Sequence, residues 1–146
     1  MRKFKDSKIL GYTAKQLYEL VLDVEQYDKF VPWCSKCEVI SKSEGQITAD
    51  LSVKSGFISK SYRSSIAHGS NLDGYFIEIN QISGPFKYLD TKWYFKKMDD
   101  AKTKVDFAID FEFESEIINM VIGGIFSNTS EKIIEAFEKR AKEIYG

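Results

Sequence analysis

Cys34 and Cys37, three apart in "CSKC", and the single histidine, His68, carry the most reactive side chains of this chain. A C-x-x-C can act as a thiol–disulfide couple or as half of a zinc site. Zinc takes four ligands, and the chain offers one histidine and no second C-x-x-C. A thioredoxin-like pair opens a helix after a strand within a βαβ unit, and no such unit is apparent. The two cysteines therefore read as incidental reduced thiols, with no metal centre. His68 lies at a predicted strand end near a turn, with no serine or cysteine motif beside it. A catalytic histidine needs a positioned partner, so this one reads as a surface or edge residue. Charged residues are interspersed without an inward pair for acid–base work. "GGIF" is too short to cradle a phosphate and follows no strand. Neither catalysis nor a required cofactor is expected.

A different chemistry is suggested by "YDKFVPWC", residues 27–34. The proline forbids a continuous helix, and the run is too irregular to alternate like a strand. Loops run over the surface and are normally polar, yet this one carries three rings and a valine. Phe30, Val31 and Trp33 must either plug the end of a core or line the portal to an apolar cavity.

The elements that position these residues follow from length and patterning. The 146 residues suit one domain, 1–146, and 43% hydrophobic with 29% charged residues is the composition of a globular protein. A formal net charge of -1 argues against an electrostatically driven nucleic-acid binder, and no DNA partner is expected. No segment approaches the ~20 apolar residues needed to span a bilayer. The N-terminus lacks the apolar block of a secretory signal. The reading is a bacterial cytoplasmic protein, with at most transient peripheral contact at the inner membrane.

Residues 3–10 form a predicted strand, and "GYTAKQLYELVLDVEQ" a helix with a capping box between Thr13 and Gln16 and a staple between Tyr12 and Leu17. A short helix or turn carries residues 25–32. Six strand-like segments follow, joined by "EG", "GSNLDG", "DDAK" and other short turns. Val105, Phe107, Ile109, Phe111 and Phe113 form one face of the last strand, and Leu89, Trp93 and Phe95 the inner face of the one before. That pattern places Lys96 opposite Asp106 and Lys92 opposite Asp110. A long helical segment runs from about Ser115 to Tyr145, with Ile133, Phe137, Ala141 and Ile144 as its apolar stripe. Gly123-Gly124 marks either a break, with Asn128 capping a new helix, or a bend where the helix lids a cavity. A single long sheet must curl and bury its apolar face, and the C-terminal helix is the one element able to cover it.

This order resembles the START-like helix-grip (polyketide cyclase/dehydrase) superfamily. Within it the chain is similar to the coenzyme Q-binding protein and ribosome-association-toxin family. The resemblance rests on "YTAKQLYELVLDVEQYDKFVPWC", "GPFKYLDTKWYF" and "AFEKRAKEIYG". It includes Gly84, Pro85 and Gly124 but not Cys37. It implies an α+β fold: a curved seven-stranded antiparallel sheet around a long C-terminal helix, with two short helices after the first strand. It also implies non-catalytic binding of ubiquinone or a related polyprenyl lipid in support of respiration. The alternative it implies is binding of the large ribosomal subunit to block subunit association. The cavity residues expected on this basis are Phe30, Val31, Pro32, Trp33, Phe86, Leu89, Trp93, Phe95, Val121, Ile122 and Phe126. Trp93, Tyr62 and Tyr75 are candidate donors to a quinone head. Lys54, Lys60 and Arg63, or Lys87, Lys92 and Lys96, would supply a basic patch for ribosomal RNA.

Overall fold

The structure is a computed structural model that describes residues 2–55, 58–99, 101–122 and 129–146. Seven strands form one antiparallel sheet: β1 (Arg2–Leu10), β2 (Cys34–Ser43), β3 (Gln46–Ser55), β4 (Ile58–Asn71), β5 (Gly74–Ser83), β6 (Phe86–Asp99) and β7 (Lys102–Phe113). Their order is β1-β7-β6-β5-β4-β3-β2, so β2 to β7 meander while β1 returns beside β7. Irregularities at Cys34/Lys36, Val39/Ser41, Arg63/Ser64, Phe86/Tyr88 and Lys97/Asp99 interrupt the ladders. Such bulges bend strands and increase their twist, which lets one sheet curl over its own apolar face.

Helix α1 (Ala14–Leu22) and a 3₁₀ helix (Val24–Lys29) follow β1, and α2 (Glu116–Ile122) and α3 (Thr129–Tyr145) follow β7. The capping box is present in both directions: Gln16 N–H donates to Thr13 Oγ1 at 3.1 Å, and Thr13 N–H to Gln16 Oε1 at 3.0 Å. Tyr12 and Leu17 flank it in the same apolar cluster, as a staple requires. Ala14, Leu17, Leu20 and Val21 form the buried face of α1. On α3 the buried positions are Thr129, Ser130, Ile134, Phe137 and Ala141, the last four at spacings of four, three and four. Ile144, expected in this stripe, is half exposed. Tyr145 takes its place, its ring tilted against Tyr12 at 6.1 Å and its hydroxyl donating to the Gln16 carbonyl at 3.0 Å.

The β6–β7 faces match the alternation, but the register differs from the expected one by two residues. Lys96 lies opposite Lys104, Tyr94 opposite Asp106, Lys92 opposite Ala108 and Asp90 opposite Asp110. A two-residue shift keeps every side chain on its own face, so burial alone cannot exclude it. The irregularity at Lys97/Asp99 beside the turn selects among the allowed registers.

The glycine at the start of β5 answers a close approach. A Cβ on Gly74 would stand 1.9 Å from the Phe95 carbonyl oxygen.

Removing the cap side chain tests how much α1 depends on it. Thr13→Ala should lower stability by about 1 kcal/mol, the usual cost of a lost N-cap. A reduced urea midpoint with an unchanged slope would show this.

Candidate functional site

Two ring-rich clusters share the concave side of the sheet. One joins Ile47, Ala49, Ile66, Ile77, Trp93 and Phe95 of the sheet to α1 and to Ile134, Phe137 and Ala141 of α3. The other contains Ile58, Phe86, Leu89, Phe111 and Phe113, with Trp33 and Ile118 packed against it. Between them lies a cavity of about 140 Å³. Its floor includes Tyr62, Ile66, Ile79, Thr91, Trp93 and Ile109 from four neighbouring strands. Thr129, Ile133 and Phe137 of α3 form its roof, and Val31, Pro32, Trp33 and Cys34 one end.

The loop before β2 has an irregular backbone that a strand or helix would not permit. Trp33 adopts φ 65°, a left-handed conformation uncommon for a bulky residue. Its carbonyl accepts from Lys54 N–H at 2.8 Å, and Lys132 Nζ stands 5.8 Å from its ring centre. Tyr27, just upstream, is buried and donates to the Val21 carbonyl.

Of the expected cavity residues, Val31, Pro32, Trp33, Phe86, Leu89 and Trp93 lie on its wall. Phe30 does not. It packs edge-on against Phe137 at 5.1 Å under the Arg140 guanidinium, on the far side of the loop. Phe95 is also outside the wall, because it fills the solid core between Trp93 and Tyr18. Phe126 lies outside the described residues, as do the side chains of Val121 and Ile122 and the Gly123-Gly124 pair. The pattern did not single out Thr91, Ile79 or Ile109. Their inward parity was readable, but their common level across three strands depends on the register.

The polar groups of the wall are few. Burial pushes the Tyr62 hydroxyl up, and the Tyr27 hydroxyl well up, so both stay protonated. A protonated tyrosine and the Trp93 indole are hydrogen-bond donors. Tyr75, the third donor considered, stacks on Tyr18 at 4.5 Å, away from the cavity.

His68 is not on an edge strand, and it is only partly exposed. It is half-buried on β4, between β3 and β5, with its Nδ1 2.7 Å from Tyr18 Oη. Cys34 and Cys37 are free thiols, and their sulfur atoms lie 2.8 Å apart, a proximity that the spacing alone did not disclose. Among the described residues, no group of three or more cysteine, histidine or carboxylate side chains is placed to hold a metal ion. No helix of the described residues is long and apolar enough to cross a membrane.

The expected basic patches are electrically mixed. Arg63 makes a two-pronged contact with Asp50, at 2.7 and 3.0 Å, and holds that carboxyl below its usual range. Lys87 pairs with Glu112 at 3.5 Å. Lys92 lies in an outer hollow that it shares with Glu78, Asp90, Asp106 and Asp110.

Comparison with known proteins agrees with this geometry. The model of the family described as polyketide cyclase / dehydrase and lipid transport matches residues 10–138. A protein of Rickettsia prowazekii named ribosome association toxin RatA is 37% identical over 145 residues, 99% of each chain. A Xenopus laevis protein named coenzyme Q-binding protein COQ10 homolog B, mitochondrial, is 31% identical, covering 99% of this chain and 59% of its own length. The Zhui aromatase/cyclase of a Streptomyces species superimposes with a TM-score of 0.81 at 15% identity, covering 97% of this chain and 94% of its own. That last likeness establishes the fold.

The histidine gives a test of the packing beside this site. Burial lowers the His68 pKa from its ordinary 6.5. Below about 6.5 the unfolded chain takes up a proton that the folded chain resists, so stability falls as pH drops. His68→Gln should flatten the decline in urea midpoint between about pH 7 and pH 5.5. Parallel profiles for the two proteins would contradict this.

Proposed function

We infer function from one premise: the chain belongs to the polyketide cyclase / dehydrase and lipid transport family. Within that family we propose that it binds an apolar ligand of the ubiquinone or polyprenyl class, without catalysis, in the cavity between sheet and α3. The observation that carries this reading is an apolar hollow left open in an otherwise close-packed interior. A void of this kind costs lost contacts on every wall, and a guest restores them.

Volume limits what the guest inserts. An apolar cavity of about 150 Å³ holds one benzene. The hollow here therefore takes one ring or one isoprene unit, well short of the ~300–1,000 Å³ of a pocket for a whole drug-sized molecule. The remainder of a longer ligand must leave between the loop at 31–34 and α3. Tyr62 and Trp93 would donate to a carbonyl of the ring. The titratable groups of the wall are Tyr27, Tyr62 and Cys34, and with both tyrosines held protonated they suit binding better than proton transfer. The name of the Xenopus relative supports the choice of quinone. We place the activity in the bacterial cytoplasm, with transient contact at the inner membrane for ligand exchange.

A second reading, association with the large ribosomal subunit, is favoured by the name and full-length match of the Rickettsia relative. It ranks below the first because three of the cations considered for it, Arg63, Lys87 and Lys92, stand beside carboxylates.

Filling the hollow separates ligand binding from folding. Val53 is half-buried on the cavity wall, and Val53→Phe should occupy the space. A short-chain ubiquinone should quench wild-type tryptophan fluorescence saturably, and the variant should bind at least tenfold more weakly with its thermal midpoint retained. Equal binding by the folded variant, or no saturable quenching of the wild type, would overturn the assignment.

The second reading has its own signature. Co-sedimentation with large ribosomal subunits should weaken steeply between about 50 and 200 mM salt. Quinone affinity should stay level over the same range, and co-sedimentation that is absent at low salt would remove the ribosomal reading.

A further inference from the structure

Two residues three apart on a regular strand point to opposite faces of the sheet. Cys34 and Cys37 do not, because the ladder to β3 slips between Cys34 and Lys36. Cys34 pairs with Val53, Lys36 with Ser52 and Cys37 with Leu51, leaving Ser35 as the extra residue. The bulge turns both thiols toward the core, where each packs against the main apolar cluster. Their sulfurs are 2.8 Å apart, less than 1 Å beyond the ~2.0 Å of a disulfide bond. Both residues are half-buried, and Cys34 belongs to the cavity wall.

We propose that Cys34 and Cys37 are a reversible dithiol–disulfide couple, oxidised by a small-molecule disulfide, whose bridge restrains the mouth of the cavity. The gating half of this proposal rests on the cavity reading above, whereas bridge formation does not.

The roles of the two sulfurs are unequal. The hydrogen bond from Cys37 lowers the Cys34 thiol pKa, while the same contact and burial push the Cys37 thiol up. Cys34 lies on the cavity wall at the start of β2 and Cys37 further along the strand and off that wall, so Cys34 is assigned as the attacking thiolate and Cys37 as the resolving thiol, in the same direction as these shifts. Cys34 Sγ attacks one sulfur of the oxidant and releases the other as a thiolate, giving a mixed disulfide. Cys37 passes its proton to that thiolate and attacks Cys34 Sγ. The S–S bond to the oxidant's remaining half then breaks, and that half leaves as a thiolate that takes from solvent the proton Cys34 had released. In total, two cysteine thiols become one disulfide and the oxidant's disulfide becomes two thiols.

The bridge acts on the mouth through the chain. Val31, Pro32 and Trp33 immediately precede Cys34 and form one end of the cavity, with Trp33 already in a left-handed conformation. Cys34 N–H donates to the Val31 carbonyl at 3.2 Å. Tying Cys34, the first residue of β2, to Cys37 holds the strand end against fraying and so removes freedom from the segment before it, which must move for a long ligand to leave.

The chain has two cysteines in all, so any intramolecular disulfide is this one. The full chain would be equilibrated in buffers of glutathione and glutathione disulfide, acid-quenched, alkylated with N-ethylmaleimide and weighed by intact mass spectrometry. Under oxidising poise the expected product is a monomer lacking two hydrogens, unalkylated, and restored by dithiothreitol. Cys37→Ser should stop with one glutathione on Cys34, and Cys34→Ser should react at least tenfold more slowly. Persistent double alkylation, glutathione adducts or intermolecular dimers in the wild type, or equal rates for the two variants, would overturn the couple. A second measurement follows release of a preloaded short-chain ubiquinone, expected to be several-fold slower from the oxidised protein. Equal release rates would overturn the gate while leaving bridge and binding intact. Failure of both redox forms to bind would count against the cavity reading instead.

Discussion

Phe137 is the point at which helix, loop and sheet meet. Its ring packs edge-on against Tyr27 at 5.4 Å, Phe30 at 5.1 Å and Trp93 at 5.1 Å. Edge-on pairs of this kind add about 0.5–1.5 kcal/mol each beyond the area they bury. Tyr27 comes from the 3₁₀ helix, Phe30 from the loop after it and Trp93 from the middle of β6. One side chain of α3 therefore fixes the height of the helix over the sheet and the position of the loop beside it. On one side of Phe137 the interior is filled solidly by rings and aliphatic residues together. Ala49 and Ala141 are fully buried there. On the other side the helix stands off, and the cavity begins.

The hollow persists because the residues around it are large and mutually braced. Phe86 stacks on Phe113 at 4.3 Å and meets Tyr62 edge-on at 5.2 Å, while Trp93 leans on Phe107 at 4.4 Å. A ring held on two or three sides cannot turn into a neighbouring space without giving up those contacts. Aliphatic side chains in the same places would collapse inward. Rings thus serve both as core and as wall, and the difference between the two is set by what faces them across the fold.

That distinction explains what the sequence discloses and what it conceals. Alternation places Leu89, Trp93 and Phe95 on one face, and all three are buried there. It cannot say that Phe95 faces α1's Tyr18 while Trp93 reaches the cavity, since that depends on how far along the strand each helix sits. Period-two patterning also leaves register undetermined by steps of two, and the bulge at Lys97/Asp99 makes the choice for β6 and β7. The α3 stripe was legible to within one residue at its end, where a tyrosine able to reach the Gln16 carbonyl displaces Ile144. His68 looked peripheral because a turn follows its strand, but β4 is interior and Tyr18 arrives from a helix fifty positions earlier. The closeness of the two thiols was hidden for a related reason. A C-x-x-C is read against a helix start, whereas here a bulge does the folding back, and bulges leave little mark on a single sequence.

The run 27–34 gathers these threads, because its residues face four different environments. Tyr27 is core, Phe30 braces α3 from outside, Val31 to Trp33 close the cavity, and Cys34 lies where wall and strand join. A helix would repeat its environments every three or four residues and a strand every two, and neither could face four in eight. The proline and the left-handed Trp33 are what such a change of direction requires. Cations on α3 then hold the segment from above: Arg140 over Phe30 and Lys132 over Trp33. These contacts are non-covalent and individually weak, about 0.5–1 kcal/mol at exposed sites. A loop so held can part from the helix at modest cost and re-form, which is the mechanical property a ligand mouth needs and a sealed core does not.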